Sequence, residues 1–338
     1  MMKEAIVSAG PKVKIIDSEI PRPNDDQVVI KVVVSGSNPK DWKGPEWLGS
    51  ELNQGDDIAG TIASVGQNVT EFKVGDRVAA FHEMRTPGGS YAEYAVAWAH
   101  TTFHIPQKTT YEEAAAIPLA AMTAAIGLYV RLGLPEPWKP GEKDIPLLIY
   151  GGSSAVGAYT IQFAQRSQIH PQIVVAGGGA SYVEQLIDRS KGDTIVDYRQ
   201  GDEATVQGIK DALKGRTLEY AYDAVSEKGS FENISKALAP NGHITLVLSR
   251  GDYSAIPSTI HKTTTMVGSS HGEDKDFAFT LFRYIGKGLQ DGWFKPQPHE
   301  VQKGGLEGVQ GALQKLKDGK ASAIKYVFRI ADTPGVQA

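Results

Sequence analysis

The sequence predicts an α/β protein of two domains, one β-rich and the other built on a doubly wound parallel sheet. Three observations predict this fold class. A chain of 338 residues is long for a single hydrophobic core. Residues 1–118 contain short β-branched runs separated by Gly and Asn turns, which is typical of a compact barrel-like module. From residue 147, strand and helix patterns alternate, which is typical of a parallel sheet covered on both faces.

The first domain is predicted to consist mainly of short strands. A strand pattern begins directly at the N-terminus, and others lie at residues 28–34, 58–66, 75–81 and 91–96. An alanine-rich helix is expected over residues 112–132, with only Pro118 to disturb it. Residues 134–146 are then an extended connection, because four prolines prevent a regular helix there.

The second part of the chain alternates between strand and helix. Strand patterns lie at residues 147–150, 173–176, 194–196, 219–224, 243–248 and 264–267, and helix patterns at 155–168, 181–190, 203–213, 229–238 and 274–288. A helix over residues 301–317 and a strand over 324–330 follow, and we expect this tail to return to the first domain. The predicted domains are therefore residues 1–118 with 290–338, and residues 119–289.

A turn of small residues between the strand at 147–150 and the next helix predicts a Rossmann-type dinucleotide-binding unit. The usual fingerprint is G-x-G-x-x-G, and this chain has Gly152-x-Ser154-x-x-Gly157. Small residues let a pyrophosphate approach the backbone, and a helix N-terminus offers it free N–H groups and partial positive charge. An ordinary strand-to-helix turn is the alternative for this degenerate form. Ser154 is not a nucleophile elbow, because no glycine follows two residues later.

The ribose end of the predicted site favours NADPH over NADH. Units that prefer NAD carry an acid about 20 residues past the glycine turn. Here the second strand ends in Gly177, Gly178 and Gly179, with no acid, and a carboxylate there would repel a 2′-phosphate. Ser181 and Tyr198 are candidate phosphate contacts, and Arg199 is a possible cation. The alternative is a flexible glycine loop and a surface aromatic side chain.

Two further segments are candidates for chemistry. Residues 37–43 place Asn38, Lys40 and Asp41 directly after a strong strand, where they are candidates to face a substrate or the nicotinamide ribose; the alternative is a surface turn, which Asn-Pro favours. Residues 117–125 form a helix start of small residues that a flat ligand can approach, with Thr123 as its polar group. Helix packing alone is the alternative there.

Composition excludes several function classes. The net charge of −4 and the absence of a basic cluster argue against nucleic acid as a partner. No apolar run of spanning length or signal-peptide core is visible, so no membrane is expected and the predicted location is cytoplasmic. There is no cysteine, and none of the histidines form a zinc motif, so we predict no metal.

The whole chain resembles the zinc-independent branch of the medium-chain dehydrogenase/reductase superfamily. The segments that carry this resemblance, in order, are residues 38–41, 55–66, 74–78, 89–94, 115–119 and 151–157. Zinc alcohol dehydrogenases of the superfamily have a cysteine where Asn38 stands and a histidine where Asp56 stands. The resemblance therefore implies a GroES-like catalytic domain, a Rossmann cofactor domain and no zinc.

Within that branch, the Pro-rich connection and the segments 304–309 and 318–327 resemble fungal trans-acting enoyl reductases. The resemblance implies a monomer that uses NADPH to reduce a carrier-bound α,β-unsaturated thioester beside a polyketide synthase partner. It implies cofactor contacts at Lys40, Asp41, Trp42, Lys43, Gly152, Ser153, Ser154, Ala155, Val156, Gly157, Ser181, Tyr198, Leu248, Val267, Tyr326 and Val327. The substrate pocket would be lined by Leu119, Met122, Thr123 and Ile126.

Three groups are candidates to stabilise an enolate or deliver its proton: Asn38, Lys40 and Thr123. Backbone N–H groups are another possibility, and positioning alone can account for much of the catalysis. Two other functions remain open. The chain is alternatively a quinone or enone reductase acting on free small molecules, or a non-catalytic NADPH-binding relative.

Overall fold

A computed structural model describes residues 1–141 and 144–336. The strands are β1 Met2–Ser8, β2 Lys12–Ser18, β3 Gln27–Gly36, β4 Asp57–Val65, β5 Arg77–Phe81, β6 Tyr94–Trp98, β7 Thr102–His104, β8 Leu147–Tyr150, β9 Gln172–Ala176, β10 Thr194–Asp197, β11 Tyr220–Asp223, β12 His243–Leu246, β13 His261–Thr264, β14 His299–Val301 and β15 Lys325–Arg329. The helices are α1 Lys40–Leu48, α2 Tyr111–Ala114, α3 Pro118–Ala125, α4 Ala155–Arg166, α5 Ala180–Val183, α6 Asp202–Leu213, α7 Ser230–Ser235, α8 Lys275–Asp291 and α9 Val309–Lys317.

The chain divides into two compact units. Unit 1 comprises Met1–Leu119 and Gly268–Ala338, and unit 2 comprises Ala120–Val267. The sequence predicts the second division at residue 290, whereas in the structure it lies at Gly268 and α8 packs within unit 1. Phe282 of α8 stacks on Phe103 with ring centroids 5.3 Å apart, and Arg283 donates to the carbonyl of His100. The predicted Pro-rich connection includes Glu142 and Lys143, which lie outside the described residues.

Unit 1 is built around the long strand β3. Its sheet has the order β14-β15-β3-β4-β5-β7, with β6 also paired to β3, and β1 and β2 form an antiparallel pair beside it. The β-branched run Val28, Ile30 and Val32 of β3 is buried in one apolar core. The last strand, β15, pairs antiparallel with β3, so the C-terminal tail lies in unit 1.

Unit 2 contains a fully parallel sheet of six strands in the order β10-β9-β8-β11-β12-β13. Counted within the unit, this is the order 3-2-1-4-5-6 of a doubly wound dinucleotide-binding sheet, which confirms the predicted fold class. The direction of winding reverses between β8 and β11. Ligands of such sheets bind outside the carboxyl ends of the strands at this point, and the glycine turn follows β8 there.

Several predicted elements have different bounds in the structure. The predicted helix at 181–190 is only the four-residue α5, and a separate 3₁₀ turn follows at Arg189–Lys191, where the Asp188 side chain accepts from the amide of Ser190. The predicted helix at 301–317 begins at Val309, because Gly304 and Gly305 have positive φ values of 83° and 57°. Helix α1 is not among the predicted elements. Strand β13 begins at His261, three residues earlier than the predicted strand at 264–267.

The predicted helix at 112–132 is divided into α2, α3 and a π-helical segment, Ile126–Arg131. The stretch Tyr111–Arg131 is long and apolar enough by composition to cross a membrane, with a mean hydropathy of 1.5 in its most apolar window. However, 89% of that window is buried inside the protein, as in a core helix.

Candidate functional site

The glycine turn after β8 is shaped by backbone positions that exclude side chains. Gly151 has a φ of +86°, which favours glycine. A Cβ on Gly152 would lie 2.1 Å from Cγ1 of Val174, and a Cβ on Gly157 would lie 2.3 Å from the carbonyl oxygen of Gly151. The two glycines of the degenerate fingerprint, Gly152 and Gly157, are therefore required by close packing, and Gly151 before them is required by its backbone conformation.

Ser154 is the N-cap of α4. Its backbone is extended, and its Oγ accepts a hydrogen bond of 3.0 Å from the amide of Gly157. The amides of Ala155 and Val156 have no carbonyl of their own helix to bond, because they lie in its first turn. The hydroxyl hydrogen of Ser154 is a further donor at this helix end, and the serine leaves the first-turn amides of Ala155 and Val156 uncapped by its side chain.

The predicted ribose end lies beyond β9, which ends at Ala176. The ring of Tyr198 covers Gly177, since a Cβ there would lie 2.6 Å from Cε1 of the tyrosine. Ser181 and Tyr198 are both exposed. The structure therefore brings Tyr198 onto the glycine loop, next to the start of the α5 segment.

Asp197, at the end of β10, is a carboxylate near this end that is not among the residues predicted from the sequence. It pairs in register with Ala176 at the carboxyl end of β10, a position that the strand pattern alone could have indicated. Arg199 donates to both of its oxygens, from Nη2 at 2.6 Å and from Nε at 2.9 Å, and these bonds lower the pKa of Asp197 to about 2. Arg199, the cation considered for the phosphate, is thus bonded to Asp197.

In unit 1, Asn38 belongs to a closed network of buried polar groups. Its Nδ2 donates to Oδ2 of Asp57 at 2.8 Å, and Nζ of Lys325 donates to Oδ1 of Asn38 at 2.8 Å. The same ammonium is 2.7 Å from Oδ2 of Asp57. The other oxygen of Asp57 accepts from the amide of Leu119 at 2.7 Å, which is the second residue of α3.

Lys40 occupies a second network beside the first. Its Nζ lies 2.7 Å from the carbonyl oxygen of Gln54 and 3.0 Å from Oδ1 of Asp41, and it forms a close ion pair with Asp56. Burial lowers the pKa of Lys40, but the two carboxylates outweigh it and hold the pKa above its ordinary value. The ammonium is therefore strongly held in its charged form by three oxygen acceptors.

The carboxyl group of Asp41 is buried and shared between several donors. Its Oδ2 accepts from the hydroxyl of Tyr91 at 2.6 Å and from the amide of Asn38 at 2.7 Å. Burial raises the pKa of Asp41 to about 6 even though Lys40 acts in the opposite direction. Burial likewise raises the pKa of Asp56.

The other predicted cofactor residues of unit 1 lie around the start of α1. Lys43 Nζ is 5.5 Å from the ring centroid of Trp42. The backbone carbonyl of Tyr326 accepts from both the amide and the hydroxyl of Ser37, each at 3.0 Å. The structure thus brings Tyr326 next to Ser37, at the start of the segment 37–43, although the two residues are far apart in the sequence.

The predicted pocket residues lie in and after α3, and all are buried: Leu119, Met122, Thr123 and Ile126. The carbonyl of Thr123 accepts a hydrogen bond of 2.8 Å from the hydroxyl of Tyr222 in unit 2. Two further predicted contacts, Leu248 and Val267, are half-buried at the ends of loops in unit 2. The sequence does not indicate roles for Tyr222, Asp57 and Lys325, because their partners are far from them in the sequence and contact them only in the tertiary structure.

Within residues 1–141 and 144–336, no group of three or more His, Asp or Glu side chains is placed to hold a metal ion. The carboxylates Asp56 and Asp57 are directed instead to the ammonium groups of Lys40 and Lys325.

Comparison with known proteins agrees with this architecture. The alcohol dehydrogenase GroES-like domain matches residues 24–107. The chain is 55% identical to the trans-enoyl reductase fsr4 of Gibberella fujikuroi, over 91% of this chain and 92% of that relative. It is 31% identical to the trans-enoyl reductase resD of Aspergillus sclerotiorum, over 97% and 100% of the two chains.

A solved structure, mycobacterial Rv1454c complexed with NADPH, has the same fold with a TM-score of 0.77 and 20% identity, over 97% of this chain and 99% of that one. The GroES-like match, the parallel sheet and the full-length relatives agree with one another. The chain therefore belongs to the medium-chain dehydrogenase/reductase superfamily, in the branch that includes the fungal trans-enoyl reductases.

Proposed function

We propose that this protein is an NADPH-dependent enoyl reductase that acts in trans on a polyketide-type α,β-unsaturated thioester. The relationship to a trans-enoyl reductase at 55% identity over nine tenths of the chain carries this proposal. The glycine turn at the switch point of a parallel sheet supports the cofactor part of it. A polyketide synthase that presents the substrate on its carrier domain is the proposed partner, and the enzyme itself is proposed to be a monomer.

The residues of unit 2 fit a dinucleotide. Gly151, Gly152 and Gly157 form a turn, here called the phosphate cradle, in which an added Cβ would clash with neighbouring atoms. The amides of Ala155 and Val156 lie beside it in the first turn of a twelve-residue helix. Ser181 and the Tyr198 ring would hold the adenosine ribose phosphate beyond β9. When bound, NADPH supplies the hydride that adds to the β-carbon of the alkene.

The chain's own groups must hold the substrate, stabilise the negative charge that develops on the thioester oxygen, and allow a proton to reach the α-carbon. We assign Thr123 to donate toward the developing enolate. Lys40 and Asn38 each bond buried carboxylates, so we assign them to fix the charge and geometry of the segment 38–43 around the cofactor. Positioning by such groups accounts for a large share of catalysis in reactions where the cofactor carries the chemistry.

The experiment that tests this proposal follows the absorbance of NADPH with purified protein and a crotonyl thioester. We expect turnover with NADPH, slower turnover with NADH, and a higher kcat/KM for a carrier-bound thioester than for the free one. Consumption of NADPH only with quinones or simple enones would replace the proposal with a small-molecule reductase. Tight NADPH binding without turnover on any alkene would identify a non-catalytic relative.

A further inference from the structure

The loop after β11 is held in place by a single buried carboxylate. Asp223, the last residue of β11, is completely buried. Its Oδ1 accepts from the amides of Val225 at 3.0 Å and Ser226 at 2.8 Å, and its Oδ2 accepts from the hydroxyl of Ser230 at 2.6 Å. Residues 224–229, here called the β11 loop, are thus bonded near both ends to one side chain.

Within this loop, Ser226 has a backbone conformation that only fixed surroundings maintain. Its φ of +59° lies in the left-handed region, which is unfavourable for a residue other than glycine. Its hydroxyl donates to the carbonyl of Asp223 at 2.9 Å and accepts from the amide of Val247 at 2.8 Å. Strained residues of this kind are concentrated at ligand sites, where the surrounding bonds hold them in place.

The β11 loop lies directly against the phosphate cradle. The amide of Ala224 donates to the carbonyl of Tyr150, the last residue of β8, at 3.0 Å. A Cβ on Gly151 would lie 2.6 Å from Cγ2 of Val225, so this side chain packs on the first glycine of the cradle. Strands β8 and β11 are neighbours at the switch point of the sheet, where the ligand crevice opens. The β11 loop is therefore the second wall of that crevice.

From these contacts we propose that Asp223 is a positioning residue for the cofactor, which fixes the β11 loop as a wall of the dinucleotide crevice and braces the phosphate cradle. The inference rests on the NADPH binding of the proposed function, and not on the reduction of an alkene. A carboxylate that only satisfied buried amides would contribute to stability without changing the affinity for the nucleotide.

Asp193 provides a matched control at the other edge of the same sheet. It is also buried, and it accepts from the amides of Gln172 at 2.8 Å and Asp188 at 2.9 Å. Nδ1 of His170 is 2.8 Å from the same carboxylate. Asp193 directly precedes β10 and bonds the first residue of β9, so it lies at the amino ends of the strands. It therefore resembles Asp223 in burial and bonding but is away from the crevice.

The test measures the Kd for NADPH by fluorescence titration of Asp223→Ala and Asp193→Ala. We expect Asp223→Ala to raise this Kd about tenfold, because the apparent Kd rises as the share of molecules with the loop in place falls. Asp193→Ala should keep the Kd within about twofold of wild type at a comparable loss of melting temperature. An equal rise in both variants, or no rise in Asp223→Ala, would overturn the inference.

A second pair of variants decides the inference if Asp223→Ala does not fold. Ser226→Gly and Lys228→Gly both replace residues with left-handed backbone, at φ values of +59° and +57°, so glycine fits each position without strain. Only Ser226→Gly removes a hydroxyl that ties the loop to β11 and to Val247. We expect it to raise the Kd for NADPH about threefold, whereas Lys228→Gly leaves the Kd unchanged. Equal Kd values for the two variants contradict the inference.

Failure of the proposed function can be told apart from failure of this inference. A wild type that binds NADPH but reduces no thioester contradicts the function and leaves the inference to the Kd values. If the wild type binds no NADPH, hydrogen exchange at the amides of Gly151 and Gly152, which donate to the carbonyl of Val175, tests the bracing directly. Exchange about tenfold faster in Asp223→Ala, but not in Asp193→Ala, supports the bracing, and unchanged exchange overturns it.

Discussion

At the scale of single residues, unit 1 concentrates charge in its interior to an unusual degree. The carboxyl groups of Asp41, Asp56 and Asp57 are buried, and the ammonium groups of Lys40 and Lys325 lie among them. Buried charges of this kind are stable only when paired, and removal of one partner leaves an uncompensated charge. The network therefore makes individual side chains essential to the geometry of the segment 38–43.

Lys325 provides the clearest test of this network. Lys325→Met should lower the free energy of unfolding by about 3–5 kcal/mol, because Asp57 and Asn38 lose a cation that is 5% exposed. Lys320→Met is the matched control, since its ion pair with Asp318 is on the surface and is expected to contribute about 0–1 kcal/mol. Urea unfolding of both variants measures the difference, and equal small losses would show that the buried pair contributes no more than the exposed one.

The histidine pair of unit 1 predicts a pH dependence with a definite sign. Burial lowers the pKa of His271 to about 3, and the neighbouring His100, whose ring centroid is 5.7 Å away, acts in the same direction. The unfolded chain takes up a proton near its ordinary pKa while the folded protein does not. The stabilising contribution of the neutral imidazole is therefore present above about pH 6.5 and is lost as the pH falls toward the folded value.

His271→Phe should remove this sensitivity. The ring of His271 already packs on Phe81 at 5.0 Å, so a phenyl ring has a suitable neighbour. We expect the difference in unfolding free energy between variant and wild type to shift in favour of the variant as the pH falls from about 7 to about 5. Urea unfolding at several pH values measures this shift; parallel pH profiles would mean that His271 does not titrate between the two states.

At the scale of elements, the turn between β8 and α4 depends on glycine for steric reasons. Gly157→Ala places a Cβ against the backbone oxygen of Gly151, so strand and helix must separate. We expect the Kd for NADPH to rise at least tenfold, because the first-turn amides of α4 move away from the phosphates. Fluorescence titration with NADPH measures the change.

Gly311→Ala is the control for that variant. Gly311 lies in α9, and nothing is within 4 Å of its added Cβ. Alanine there should stabilise the protein by about 0.5–1 kcal/mol and leave the NADPH Kd unchanged. Weaker binding in both variants would indicate a general effect of glycine replacement rather than closure of the phosphate cradle.

Elements with a regular local pattern could be predicted from the sequence. The alternation of buried apolar strands with helices gave the parallel sheet, and small residues after residue 150 located the turn. Helix α1 was not predicted, because Gly44 and Pro45 interrupt the helical pattern of its sequence. After α5, the amides of Gln185 and Leu186 bond carbonyls three residues back, so the chain continues there as turns rather than as the predicted helix.

The polar networks could not be predicted for a different reason. Lys325 and Asp57 are separated by 268 positions, and their contact exists only after β15 pairs with β3. Asn38 and Lys40 were recognised as candidates, yet their partners depend on tertiary structure. Their assigned roles, like that of Thr123, remain predictions.

At the scale of the whole molecule, cofactor binding should appear as a change in global stability. A ligand that binds only the folded protein, present at about 100 times its Kd, stabilises the folded state by about 2.7 kcal/mol. We expect a larger rise of melting temperature with NADPH than with NADH at equal concentration. Ser181→Asp should reduce the rise of melting temperature caused by NADPH and preserve the rise caused by NADH, because a carboxylate repels the 2′-phosphate. Equal shifts for both cofactors in the wild type would contradict the NADPH preference.

The link between Lys325 and Asp57 also has a consequence for synthesis of the chain. Ribosomes release the barrel strands β1–β7 early, whereas the cation that neutralises their buried carboxylate belongs to the last strand. During translation, the ion pair between Lys325 and Asp57 therefore cannot form until β15 emerges, although domains otherwise fold as units from the N-terminus. Completion of unit 1 thus depends on residues that are translated after all of unit 2.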